Sequence, residues 1–269
     1  MLSIVIPTYD QPHYLQESLT TLVDQLSTTV DYEIVVVDNS AQYNKNVELI
    51  SSIIKYIHAS DYRNPYTSRN FGANFASGET LLFLDSKSLV GDTFASTLKG
   101  KIISNEYDII GGEISVVCSS EDSLFSLAHA VCYLRTNPKY FRGRPSALTT
   151  NMLLKKSVWE ALGGFKETRS GNDVEFIARA RAAGYKVAYD PDLLVHYPAK
   201  SPAEVIQFLK RIAKNGQNKV GLLSLRPPRP GPINMRLKDI GVKLSIWRWV
   251  QLYFTIWYVR FLKFYYQYI

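Results

Sequence analysis

Three aspartates occupy positions at which a carboxylate could do chemistry. Asp85 follows the apolar run Leu81–Leu84 and Asp38 follows Ile34–Val37, so each stands at the end of a predicted buried strand. In open α/β sheets, ligands bind at the carboxyl ends of the strands. Asp173 lies in the first turn of a predicted helix, where the macrodipole favours the ionised carboxylate and a general base could act. The alternative role of Asp173 is to cap that helix.

Polar residues near these strand ends indicate a nucleotide-type ligand. The loop Pro7-Thr8-Tyr9 follows the first predicted strand, and Tyr9 offers a flat face to a nucleobase. An ionised Asp38 could accept the N3–H of a uracil. Each feature taken alone is weak, because a strand that ends in Asp is common.

Four other residues bear on the chemistry around Asp85. Arg69 and Asn70 lie on a predicted helix that leads into the Asp85 strand, although an isolated arginine there could simply be solvated. Lys87 stands two residues past Asp85, where a second carboxylate would complete a metal-binding pair. His196 ends a short apolar run and could be a metal ligand, although a lone histidine is usually structural.

The predicted elements that position these residues alternate between strand and helix. The first half reads as strands at 2–6, 32–38, 53–57 and up to Asp85, with helices from Pro12, over 43–52 and over 66–77. This rhythm predicts an α/β fold with a mostly parallel central sheet and helices on both faces. Further predictions are strands over 107–118, 148–155, 186–191 and 193–198, and helices over 123–134, 171–184, 202–220 and 240–266.

Composition bounds the compartment and the partners. With 269 residues, 46% of them hydrophobic, the chain can bury a core without disulfides, so Cys118 and Cys132 are expected to be reduced thiols. No signal peptide is expected at the N-terminus. Residues 200–269 carry 13 Lys and Arg against two acidic residues, which predicts an anionic partner.

The C-terminal segment predicts an aromatic helix that lies in a membrane surface. Its longest uncharged run, Trp249–Val259, is 11 residues, short of the roughly 20 that span a bilayer. On a helical wheel its apolar side collects mainly aromatic residues: Ile246, Trp249, Val250, Tyr253, Phe254, Trp257 and Phe261. Trp and Tyr prefer the headgroup level. The alternatives are packing on the catalytic domain or a homodimer seam; a nucleic-acid partner is not expected.

Six segments, taken in order, resemble the inverting family-2 glycosyltransferases of GT-A fold over about residues 2–200. They are IVIPTYDQPHYLQESLTTL, EIVVVDNS, SRNFGANFASGETLLFLDS, TTNMLLKKSVWEALGGF, GNDVEFIARARAAGYKVAYDP and VHYP. The resemblance implies a donor nucleotide site formed by Pro7, Thr8, Tyr9, Asp38, Arg69, Asn70 and Asp85. It also implies that Asp173 is the catalytic base and that His196 approaches a metal ion or the diphosphate.

Two residues depart from the family pattern. Lys87 replaces the second acid of the D-x-D motif, which removes an oxygen ligand and adds a cation. Lys87 could therefore replace the Mg²⁺ or Mn²⁺ that the resemblance implies at the diphosphate, or Asp85 and His196 could still bind the ion. Asn172 stands where the family often carries Glu, which bears on acceptor contacts.

Together with this resemblance, the sequence predicts an inverting transferase that moves a sugar from a nucleotide sugar, expected to be UDP-linked, to a hydroxyl of a lipid-linked or glycan acceptor. The alternative is a non-catalytic nucleotide-sugar or glycan-binding protein. The predicted organisation is a catalytic domain over 1–200 (nucleotide half 1–88, acceptor half 89–200), a basic helix and Pro-rich linker over 201–232, and a tail over 233–269. The predicted location is the cytoplasmic face of the cell membrane, held peripherally.

Overall fold

The computed structural model describes residues 1–27, 30–42, 47, 50–61, 64–133, 136–138, 143–168, 171–214 and 226–268. Within these ranges the strands are β1 (Leu2–Thr8), β2 (Tyr32–Asp38), β3 (Ile54–His58), β4 (Thr80–Leu84), β5 (Leu89–Val90), β6 (Ile109–Val117), β7 (Asn151–Lys155) and β8 (Val187–Pro198). They form one sheet in the order β3-β2-β1-β4-β7-β6-β8-β5. The predicted α/β class is confirmed.

The sheet is parallel through four neighbouring strands, β3, β2, β1 and β4. Strand β1 pairs in parallel with β2 and β4, and β2 pairs in parallel with β3. Across β4 the direction changes, because β7 runs antiparallel to both β4 and β6, and β5 runs antiparallel to β8. The two predicted strands 186–191 and 193–198 are in fact one continuous strand, β8.

The described helices are α1 (Pro12–Leu26), α2 (Pro65–Phe75), α3 (Phe94–Ser104), α4 (Leu124–Cys132), α5 (Lys156–Ala161), α6 (Asn172–Ala182), α7 (Pro202–Ala213), α8 (Pro230–Asp239) and α9 (Ile246–Tyr265). Most of the helix predicted over 43–52, and the end of the one predicted to 220, lie outside the described residues. The Pro-rich stretch that was expected to be a linker contains the start of α8, because proline is tolerated in the first helical turn.

The chain divides into two compact units. Unit 1 comprises 1–114, 136–168 and 172–196, and unit 2 comprises 115–135, 169–171 and 197–269. In unit 1, helix α2 lies directly on the sheet: a Cβ at Gly72 would come within 2.6 Å of Val5 Cγ1 and 3.0 Å of Val37 Cγ2. This close approach fixes the distance from α2 to the strand ends.

Unit 2 is a helical cluster with its own apolar core. Helices α4, α7, α8 and α9 bury mainly aliphatic side chains against one another, including Leu127, Leu209, Leu237 and Ile256. His129 of α4 is buried in this cluster; its ring stacks on Tyr133 at 5.5 Å and meets Phe208 edge-on at 5.1 Å, between ring centroids. Cys118 and Cys132 are free thiols, as expected.

Candidate active site

A cavity of about 260 Å³ opens at the carboxyl ends of β1 and β2. The parallel register places Thr8 beside Asp38, and both residues line the cavity. The remaining lining residues come from the β1–α1 turn, from helix α1 and from the loop after β2: Asp10, Gln11, Pro12, Leu15, Ser40 and Gln42. The cavity therefore lies at the edge of the sheet where the sequence predicted ligand binding.

Asp38 is a firmly held carboxylate at the wall of this cavity. It accepts hydrogen bonds from the Ser40 backbone N–H at 2.8 Å and from Ser40 Oγ at 2.5 Å, and also from the Tyr56 hydroxyl. His58 Nε2 contacts the Ser40 carbonyl oxygen at 2.8 Å, which fixes the loop behind Asp38. A carboxylate has about four lone-pair directions, so Asp38 retains capacity to accept from a ligand.

The loop 7–9 is divided between interior and surface. Pro7 is buried within β1, in register with Val37, whereas Tyr9 is largely exposed. Asp10, the next residue, adopts a positive φ of 48°, and its backbone N–H donates to Ser40 Oγ at 2.8 Å. This hydrogen bond links the turn after β1 to the loop after β2. Stacking of Tyr9 on a base stays a prediction.

Arg69 and Asp85 form an ion pair at the carboxyl end of β4. The Arg69 guanidinium is buried and donates from Nη2 to Asp85 Oδ1. The other Asp85 oxygen accepts from Thr150 Oγ1 at 3.0 Å. The Asp85 side chain is nevertheless 25% exposed, so it can still contact a ligand. Arg69 Nε has no hydrogen-bond partner among the described residues.

Asp173 lies within the electrostatic influence of the same arginine. Burial raises the pKa of the Asp173 carboxyl above its usual range, against the opposing effects of the Val174 N–H, the Arg69 guanidinium and the Tyr66 hydroxyl. Val174 N donates to Asp173 Oδ1 at 2.9 Å. The guanidinium carbon of Arg69 lies 5.4 Å from the centroid of the Tyr66 ring, so one arginine connects Asp85 with the surroundings of Asp173.

Two asparagines bind residues 165–168, which precede α6. The Asn70 amide donates to the Phe165 carbonyl at 2.7 Å and accepts from the Phe165 N–H at 2.9 Å. The buried Asn172 amide donates to the Lys166 and Thr168 carbonyls. These contacts place Asp173; they give Asn172 a structural role within the loop. A direct contact of Asn70 with a nucleotide stays a prediction.

Lys87 is almost fully buried in the turn between β4 and β5. Its ammonium nitrogen lies 4.6 Å from the centroid of the Tyr14 ring in α1. The preceding residue, Ser86, donates to Gln11 Oε1 at 3.2 Å, and Gln11 lines the cavity. The turn therefore places a cation near the start of α1, beside the cavity wall.

The described residues do not form a divalent-metal site by themselves. They contain no group of three or more His, Cys, Asp or Glu side chains that could hold an ion. Both Asp85 oxygens already accept hydrogen bonds from Arg69 and Thr150. His196 lies in β8 and pairs with Leu89 of β5, which follows Asp85 by four residues in the sequence. Binding of a metal ion by Asp85 and His196 stays a prediction.

The sequence interpretation missed three residues of the site. Tyr66 lies three positions before Arg69 on α2, and that i, i+3 spacing could have identified it as a neighbour. Tyr56 lies in β3, and its hydroxyl reaches Asp38 because β3 pairs with β2. Thr150 reaches Asp85 because β7 runs antiparallel to β4, with Leu84 opposite Asn151. That strand pairing has no local signal in the sequence.

Comparison with known proteins identifies a family over most of the chain. The family model for glycosyl transferase family 2 matches residues 3–189. Glycosyltransferase AglE of Haloferax volcanii is 24% identical over 228 residues, 82% of this chain and 74% of AglE. A poly(ribitol-phosphate) beta-glucosyltransferase of Bacillus spizizenii is 25% identical over 214 residues, 76% of this chain but 33% of that longer protein.

Solved structures share the fold. Mannosyltransferase PcManGT from Pyrobaculum calidifontis, in complex with GDP-Man and Mn²⁺, has a TM-score of 0.64 at 15% identity, covering 99% of this chain and 86% of that chain. S. aureus TarS 1-349, in complex with UDP, has a TM-score of 0.57 at 18% identity, covering 89% and 70%. The family match, together with this likeness, shows that the chain belongs to glycosyl transferase family 2 and has the GT-A fold.

Proposed function

We propose that the protein is an inverting transferase that moves a sugar from a nucleotide sugar to a hydroxyl of a lipid-linked or glycan acceptor. The observation that carries the proposal is the placement of Arg69, which pairs with Asp85 and lies over the ring of Tyr66. Tyr66 hydrogen-bonds Asp173, and the Arg69 charge also acts on Asp173, so a proton acceptor and a donor-side carboxylate are influenced by one buried cation. The catalytic part corresponds to residues 1–200, with nucleotide contacts in 1–88 and acceptor contacts in 89–200.

In the proposed reaction Asp173 takes the proton of the acceptor hydroxyl. The hydroxyl oxygen attacks the anomeric carbon, and the bond from that carbon to the diphosphate oxygen breaks on the opposite face. The nucleoside diphosphate leaves with the bonding electron pair, and the configuration inverts. The raised pKa of Asp173 supports this role, because a carboxylate with a higher pKa is a stronger base.

We assign the donor base to uracil. The fixed Asp38 carboxylate and the cavity beside it would receive the base, and Asp85 would contact the ribose. TarS was solved with UDP, whereas PcManGT was solved with GDP-Man, so the shared fold accepts more than one nucleotide. The choice of uracil rests on the N3–H that a carboxylate can accept.

We propose that Lys87 supplies positive charge to the leaving diphosphate, in place of part or all of a divalent ion. A buried ammonium group near the cavity would stabilise the charge that develops on the leaving oxygen. PcManGT was solved with Mn²⁺, and an ion held mainly by the donor phosphates is the competing arrangement. The protein is proposed to act on the cytoplasmic face of the cell membrane.

The test is turnover of a panel of nucleotide sugars, each with EDTA and with Mn²⁺. We expect one UDP-sugar to be turned over in EDTA, and Lys87→Met to reduce kcat/KM at least about tenfold. Lys99→Met, on the exposed side of α3, is the matched control and should change nothing. Loss of activity in EDTA with recovery in Mn²⁺ would reject full replacement of the ion by Lys87, and an unchanged kcat/KM in Lys87→Met would reject any role of Lys87; both outcomes keep the transferase. Donor binding without turnover under all conditions would favour the non-catalytic alternative.

A further inference from the structure

Helix α9 is apolar on two sides. Its inner side buries Leu252, Ile256, Val259 and Leu262 within the core of unit 2. Its outer side exposes aromatic residues at spacings of seven, four, three and four, which places them on one stripe: Trp247, Phe254, Tyr258, Phe261 and Tyr265. We call this set the outer stripe. A helix needs only one apolar side to pack into a protein core, so the outer stripe calls for a separate explanation.

The structure changes which residues face outward. Trp249, Val250 and Tyr253 were expected on the lipid side, but all three are partly buried. Trp249 Nε1 donates to Asn234 Oδ1 at 2.6 Å, and Trp249 stacks on Tyr253 at 5.6 Å between ring centroids. By contrast, Trp247 of the outer stripe is 78% exposed and Phe254 is 56% exposed. Helix α9 therefore packs into the core of unit 2 on one side and exposes aromatic side chains on the other.

We propose that the outer stripe docks on an anionic lipid surface, with the axis of α9 in the plane of that surface. This extends the proposed function, because it names the part of the chain through which the enzyme would reach a lipid-linked acceptor. None of the helices in the described ranges has the length and apolar character that crossing a bilayer requires. Trp and Tyr side chains suit the headgroup region, where the ring is apolar and its polar atom stays hydrated.

Charge complementarity favours lipid over a second copy of this chain. Residues 200–269 carry 13 Lys and Arg against two acidic residues, and none of the residues after Asp239 is acidic. A symmetric dimer through the outer stripe would bring two such basic segments together, which is unfavourable. Anionic headgroups attract the same segment, in which Lys238 and Lys243 are exposed just before α9.

The experiment is sedimentation of the full chain with phosphatidylcholine vesicles, with and without about a third phosphatidylglycerol. We expect pelleting with the anionic vesicles. The triple variant Trp247→Ser, Phe254→Ser, Phe261→Ser should lower the partition coefficient at least about tenfold, since three exposed aromatic side chains no longer enter the interface. The three positions are exposed, so the fold of unit 2 is expected to persist, as circular dichroism would verify.

The matched control removes equally exposed apolar residues from unit 1. Phe75→Ser with Ile103→Ser, at positions 53% and 73% exposed, should pellet like the unsubstituted chain. Equal pelleting of the triple variant, or no pelleting of the unsubstituted chain, would overturn the inference. A dimer in light scattering that the triple variant abolishes, without vesicle binding, would assign the stripe to a second copy and overturn it too.

The outcome separates the lipid surface from the proposed reaction. The triple variant should hydrolyse the donor, and transfer to a short glycan acceptor, at the rate of the unsubstituted chain, because the substituted residues belong to unit 2 and the proposed catalytic residues to unit 1. Vesicle binding without any turnover would support the inference about α9 and reject the proposed function. Turnover without vesicle binding would support the proposed function and overturn the inference about α9.

Discussion

Replacing Asp173 by Asn tests the chemistry and the electrostatics of the site together. The amide is nearly isosteric and keeps an oxygen that can accept from the Val174 N–H, so the start of α6 should persist. It cannot take a proton from an acceptor. A positioned general base contributes about 10²–10⁴-fold, or about 2.7–5.4 kcal/mol of transition-state free energy, and we expect kcat to fall by that amount.

The raised pKa of Asp173 gives the same variant a second, opposite effect. Because the folded state favours the protonated carboxyl, ionisation costs stability as pH rises from the usual value of 3.8 through the raised folded-state pKa. Asp173→Asn removes that cost. We therefore expect a higher Tm than that of the unsubstituted protein at neutral pH, with a gain that disappears below about pH 3.8. In the unsubstituted enzyme the acid limb of kcat should lie above the pKa of an ordinary aspartate.

The assays are release of nucleoside diphosphate in the presence of acceptor, donor affinity by calorimetry, and Tm across pH. Glu175→Gln is the control, two residues along the same helix. Burial alone would raise the pKa of Glu175, but hydrogen bonds from Arg179 and Lys166 hold it below the usual range, so Glu175 is a poor base. Unchanged kcat in Asp173→Asn would refute the assignment of the base. Loss of donor affinity would show that Asp173 acts on the fold or the donor instead.

Three further predictions concern close packing and buried charged or titratable groups. Gly72→Ala should destabilise the protein by about 1–3 kcal/mol in denaturant titration, because the added Cβ would meet Val5. The control Gly100→Ala, in α3 with open space around it, should stabilise the protein by about 0.5–1 kcal/mol. Equal effects of the two substitutions would refute the packing argument. Arg69→Met should cost about 3 kcal/mol and abolish donor binding, since Asp85 loses its buried partner; a stable variant that binds donor would contradict this. Burial and the nearby Lys200 and Arg211 lower the pKa of His129 to about 3, with Glu204 opposing them. The free energy of unfolding should therefore fall as pH decreases from 6.5 towards 3, by up to roughly 1.4 kcal/mol per pH unit. His129→Phe should lack this contribution when the free energy of unfolding is measured across pH.

Local patterns predicted the part of the fold that local physics controls. The buried strands β1, β2 and β4 were recognisable as short apolar runs, and the ends of β2 and β4 correctly indicated where Asp38 and Asp85 stand. Gly184 ends the helical region after α6 with φ +86°, as its position suggested. These features depend on a few consecutive residues.

What sequence reasoning could not supply depends on contacts between distant segments. Thr150 reaches Asp85 only through the pairing of β4 with β7. A helical wheel did not distinguish the buried apolar side of α9 from its exposed aromatic side. Periodicity alone does not say which side the rest of unit 2 covers. Helix α8 was hidden by its prolines, which are compatible with a first helical turn as well as with a linker.

The sheet order has a consequence for the order in which the chain can fold during synthesis. The segment 85–88 is anchored on one side by β4 and on the other by β5, and β5 pairs with β8, about 100 residues later. Gly91 N–H also donates to the Leu194 carbonyl at 2.9 Å. The turn that carries Asp85 and Lys87 therefore reaches its final position only after residues near His196 have left the ribosome. Residues 1–88, although made first, are therefore completed by β8, the last of the described strands to be synthesised.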